Sequence, residues 1–83
     1  MQDLNRAVEI TPEIQEAIDD AFQYHPWKPD QVKAGEAVRE AAKQLYRTVI
    51  QFVPSGPDRT VALRKIREAR MDANSAITHG GRY

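Results

Sequence analysis

The chain has 83 residues, 41% of them apolar, no cysteine, and 12 basic against 12 acidic side chains, so its formal net charge is zero. Without cysteine there are no disulfides, thiolate metal sites or thiol nucleophiles, and the two histidines, His25 and His79, are too few for a histidine-based zinc site without added carboxylates. No structural metal and no cofactor are expected; no apolar run approaches the roughly 20 residues that span a bilayer, and the balanced charge argues against general binding to DNA.

In chain order, residues 1–10 lack a sustained pattern and read as a flexible arm. They are polar rather than a charged patch followed by an apolar stretch, so a soluble protein that stays inside the cell is expected. Thr11-Pro12-Glu13 then marks a helix start, with a threonine hydroxyl to cap free N–H groups, proline at the first helical position and an early acid that suits the helix dipole. Ile14, Ala17, Ile18, Ala21 and Phe22 follow at helical spacing, which predicts a first helix over 11–23.

Tyr24-His25-Pro26-Trp27-Lys28-Pro29 is a stiff aromatic linker over 24–30, because each proline pushes the residue before it toward extended geometry. Asp30 is placed to cap a second helix over 31–53, whose apolar stripe is Val38, Ala41, Ala42, Leu45, Val49, Phe52 and Val53. Pro54-Ser55-Gly56-Pro57-Asp58 reads as a short turn in which Ser55 and Asp58 have capping-box spacing, and so tight a connection makes the flanking helices antiparallel neighbours. A third helix over 57–78 carries Leu63, Ile66, Arg70, Ala73 and Ile77 on its stripe and stops at Gly80-Gly81. The predicted fold is therefore a single all-α domain, a short helix followed by a long antiparallel hairpin. A core of that size is marginal alone, so self-association is expected.

Charge is segregated along this plan. Residues 1–30 hold the acids Asp3, Glu9, Glu13, Glu16, Asp19, Asp20 and Asp30 against Arg6 and Lys28, and the remainder is correspondingly basic. Such an acidic front and basic back suggest head-to-tail packing of subunits or a focused anion site.

Arg70 is the most informative residue, since a guanidinium on an apolar stripe needs an anionic partner. It either pairs with a carboxylate across the hairpin or reaches water along its methylenes, or it awaits a phosphate at a junction of subunits. Arg64, Arg67 and Arg70 recur every three residues, a ridge that drifts by about 60° per step and places only adjacent members near one ligand. Asn74, one turn beyond Arg70, can read a base edge or bond a backbone group. Tyr24, Trp27 and Lys28 combine flat π surfaces with a cation, which suits stacking a base while holding its phosphate, but aromatics at this place also serve to close the open end of a hairpin. With Asp30 added at the start of the second helix, these residues form the candidate ligand-binding set. Catalysis is not expected: Asp19 and Asp20 diverge on a helix, Ser55 has no histidine nearby in sequence, and no glycine-rich phosphate loop is present.

At Tyr24-His25-Pro26 with Lys28-Pro29-Asp30-Gln31, and again at Ala62-Leu63-Arg64-Lys65-Ile66 through Glu68-Ala69-Arg70-Met71-Asp72-Ala73-Asn74-Ser75-Ala76-Ile77, the chain resembles the hairpin domain of phage anti-CBASS cyclic-nucleotide sponges, shared with anti-Thoeris sponges. The likeness runs from about Phe22 to Ile77. It implies a phage or prophage protein, acting in the cytoplasm of the infected bacterium, that sequesters cyclic oligonucleotide messengers without degrading them. It also implies a homohexamer that binds cyclic dinucleotides between subunits and cyclic trinucleotides where three subunits meet. By position, Lys28 resembles the phosphate-binding lysine of the linker and Arg70 an arginine lining a nucleotide site. Asp72 stands where many relatives have tryptophan or another large residue. The 83 residues show no counterpart of the N-terminal β-domain of the longer anti-Thoeris members, so binding of an ADP-ribose-type signal is not implied. The other reading open to the sequence is a helical oligomerisation or protein-interaction module with no nucleotide ligand.

Overall fold

The computed structural model describes residues 8–82, in which three helices follow one another: α1 (Pro12–Phe22), α2 (Pro29–Phe52) and α3 (Pro57–His79). Most of the arm expected over 1–10 lies outside the described residues; residues 8–10 are non-helical and exposed. There is no strand among the described residues.

Local chemistry sets each boundary. At the start of α1, Thr11 is extended and its hydroxyl accepts the Ile14 N–H at 3.2 Å, with Pro12 at the first helical position. Asp30, by contrast, does not cap α2. The cap position falls on Lys28, whose N–H is donated to Gln31 Oε1 at 2.8 Å, and Asp30 lies inside the first turn. The physical reason is Pro29: its φ is already helical and it has no N–H to leave unpaired, so the helix begins there. Pro57 acts in the same way at α3. Its cap is Gly56 with no side-chain cap bond, so the box expected between Ser55 and Asp58 does not form. The chain leaves α3 through Gly80 and Gly81, both at positive φ (60° and 81°), and the Gly81 N–H returns to Ala76 O at 3.1 Å, which satisfies a terminal carbonyl.

Helices α2 and α3 pack side by side as an antiparallel hairpin. The α2 seam consists of Gln31, Gly35, Val38, Ala42, Tyr46 and Val49, buried or half-buried at steps of three and four, as one face of a helix requires. Across it lie the half-buried Ala62, Leu63, Ile66, Ala73 and Ile77 of α3. At the open end, Trp27 Nε1 donates to Thr78 Oγ1 at 2.7 Å and Gln31 Nε2 donates to Ile77 O at 2.9 Å.

No apolar side chain is buried among the described residues. The Cα radius of gyration is 18.5 Å, against about 12 Å for a compact domain of this length. Helix α1 shows the cause: Ile14 and Ile18 remain 39% exposed and Phe22 88%. It is held instead by polar contacts at its C-terminal end, where Arg82 Nη2 meets Asp20 Oδ2 at 3.0 Å and His25 Nε2 donates to Asp20 O at 2.9 Å.

Candidate functional site

The two broad faces of the hairpin differ in chemistry. One carries an open groove of about 380 Å³ with a floor of Ala42, Ile50 and Ile66, walled by Arg39, Lys43, Tyr46 and Arg47 from α2 and by Arg67 and Arg70 from α3. The other presents Val38, Ala41, Leu45, Ala69 and Ala73, an almost wholly apolar strip. Arg70 borders both.

Helical periodicity builds the basic groove. Arg39, Lys43, Tyr46, Arg47 and Ile50 step by three and four along α2 and so line one edge of the seam. Glu40 sits 3.8 Å from Arg39 and 3.6 Å from Lys43 and offsets part of their charge. No ion pair reaches Arg47, Arg67 or Arg70 among the described residues. The carboxylate partner weighed for Arg70 across the hairpin is therefore not there; its side chain is exposed at the groove. Three guanidinium groups beside a half-buried phenol and an apolar floor can grip phosphate oxygens in bidentate fashion while a flat ring stacks on Tyr46.

The residues singled out from the sequence are divided by the fold. Arg67 and Arg70 share the groove, whereas Arg64 faces away and pairs with Glu68 at 3.6 Å. Asn74 is half-buried and lines neither the groove nor the strip, and its Oδ1 has no hydrogen-bond partner among the described residues. Tyr24 and Trp27 lie with Gln23, His25 and Thr78 around a shallow hollow at the open end. Trp27 is committed to structure there: its indole lies against Gly35, where a Cβ would overlap the ring, and its N–H is taken by Thr78. Tyr24 is 83% exposed, and Lys28 and Asp30 are exposed at the start of α2. Within one chain the linker residues and the arginines thus do not meet. Arg39, Lys43, Tyr46 and Arg47 were missed from the sequence, although a basic stripe flanking an apolar one at the same three- and four-residue steps is a legible signal.

Compared with known protein families, residues 14–78 match the model of the Acb2/Tad1 hairpin domain. The chain belongs to that family. This is the family of anti-CBASS and anti-Thoeris sponges that the linker and α3 strings resemble, and at the level of the family the function is anti-defence sequestration of cyclic nucleotides. The Acb2/Tad1 match takes in all of the hairpin but the last residue of α3, together with most of α1. Neither the curated proteins nor the solved structures gave a match.

Proposed function

We propose that this chain binds cyclic dinucleotides and cyclic trinucleotides and releases them unchanged, acting as a homohexameric sponge in the cytoplasm of a phage-infected bacterium and so denying CBASS effectors their activator. The observation that carries the reading, beside the family, is the basic groove in which Arg47, Arg67 and Arg70 have no carboxylate partner among the described residues. A cyclic oligonucleotide is a compact anion whose phosphates alternate with flat bases. The groove offers the matching alternation of guanidinium groups, an aromatic ring and aliphatic floor. Sequestration requires only tight binding, with no interaction that favours a transition state.

Assembly belongs to the same proposal. The apolar strip of Val38, Ala41, Leu45, Ala69 and Ala73 has nothing over it among the described residues, and Leu45 is 52% exposed. A second subunit that covers this strip would remove its aliphatic side chains from water. The same strip favours the alternative, an interaction module without a nucleotide.

Isothermal titration with a panel of cyclic di- and trinucleotides, followed by chromatography of the ligand released on boiling, tests the reading. Tight binding with intact ligand supports it. No heat with any member of the panel leaves the interaction module standing, and recovery of linear products would replace the sponge with an enzyme.

A further inference from the structure

We propose that Asp20, His25 and His79 form a divalent transition-metal site of the zinc class, which clasps α1 to the open end of the hairpin. The three residues come from three segments: the last turn of α1, the linker, and the last residue of α3. One ligand atom of each lies within 4.8 Å of the others. The proposal rests on this cluster alone and not on the nucleotide reading, in which none of the three takes part.

The donor set suits a particular class of ion. Two imidazoles and one carboxylate match the nitrogen and oxygen preference of Zn²⁺, whereas Mg²⁺ and Ca²⁺ want oxygen throughout. Zn²⁺ with ligands at about 2.0–2.1 Å brings them to roughly 3.3 Å from one another. The side chains must therefore close by about 1 Å each, a movement that small χ rotations supply. The two rings already meet edge to face, centroids 5.2 Å apart and planes at 82°. Asp20 Oδ1 lies 3.7 Å from His25 Nε2, while Oδ2 is held by Arg82 at 3.0 Å. We assign Oδ1 as the ligand, with Arg82 on Oδ2 orienting the carboxylate from the outer shell. His25 donates its Nε2 proton to the Asp20 carbonyl, so the lone pair it offers an ion is on Nδ1.

Surroundings favour a cation. Helices α1 and α3 both end here, so their C-terminal carbonyls place partial negative charge around the cluster, as the Asp20 carbonyl on His25 Nε2 shows. His79 is buried at 8% exposure, and Gly80 turns the chain away immediately after it. The site also answers a structural need. Helix α1 buries no apolar side chain, so a bond network at its C-terminal end has more to contribute than it would to a helix seated on a core.

The test uses the full chain, stripped with a chelator and then titrated with Co²⁺ and Zn²⁺ alone. Co²⁺ should develop the visible absorption of a four-coordinate site, saturating at one ion per chain, and Zn²⁺ should abolish it and raise the Tm. His25→Gln and Asp20→Asn should each weaken Zn²⁺ binding at least about 100-fold, since even outer-shell partners are worth 10–100-fold. Far-UV circular dichroism should show that both remain helical, so that the result does not depend on the buried His79. Zn²⁺ that leaves the Tm unchanged, or that binds both variants as well as it binds the parent, overturns the site and assigns the ion to scattered surface carboxylates. Nucleotide titration in excess chelator reports on the sponge independently.

Discussion

Trp27 and Gly35 are fitted to each other: the indole ring lies over Gly35 of α2, where a Cβ would overlap it. Gly35 is the sole buried residue of α2, at a point in mid-helix where glycine otherwise costs about 1 kcal/mol relative to alanine. The helix tolerates that cost because the linker, confined by Pro26 and Pro29, closes the hairpin through this contact.

Gly35→Ala should therefore destabilise the chain despite the better helix propensity. Overpacking costs about 1–3 kcal/mol, more than the gain of about 1 kcal/mol in propensity. Thermal melts should show a lower Tm, and Gly35→Ala combined with Trp27→Ala should recover part of the loss. A Gly35→Ala variant that melts higher than the parent would mean that the ring does not sit there.

The Trp27–Thr78 hydrogen bond should register in a double-mutant cycle. Trp27→Phe and Thr78→Val each remove one partner of a 2.7 Å bond between part-buried groups. Each change should cost about 1 kcal/mol, and the pair should cost less than the sum by about 0.5–1.5 kcal/mol. Strict additivity would place the two groups out of contact in solution.

Among the arginines, position relative to the groove decides the outcome. Arg70→Ala and Arg67→Ala should weaken binding of a cyclic nucleotide by about 10–100-fold, the loss of one hydrogen bond to a charged group. Arg64→Ala should leave affinity within about threefold, because Arg64 lies outside the groove and pairs with Glu68 on the surface. Titration calorimetry and sedimentation on the same samples separate ligand loss from loss of assembly. Equal effects at all three positions would indicate a diffuse basic face rather than a site.

Local signals in the sequence determined the plan of three helices and two connections. Proline at the first helical position, threonine before it, paired glycines at the end and apolar residues at three- and four-residue steps all act within a few residues of themselves, so they are legible without a fold. The same proline chemistry explains the two errors: with Pro29 and Pro57 at the first helical positions the caps fall on Lys28 and Gly56, which leaves Asp30 inside the first turn of α2 and Ser55 one residue upstream of the α3 cap. The arginine ridge was legible as periodicity, and its division into Arg67 and Arg70 on one side and Arg64 on the other follows from the drift of that period.

Only the tertiary structure decided which residues meet. Registering α2 against α3 puts Arg39, Lys43, Tyr46 and Arg47 opposite Arg67 and Arg70, and commits Trp27 to Gly35 and Thr78. It also brings the histidines, 54 positions apart in the sequence, to 5.2 Å beside Asp20, the carboxylate that a two-histidine site lacked in the linear chain. Helical periodicity carries information over one or two turns, whereas a site assembled from several segments depends on long-range contacts whose register is set by packing.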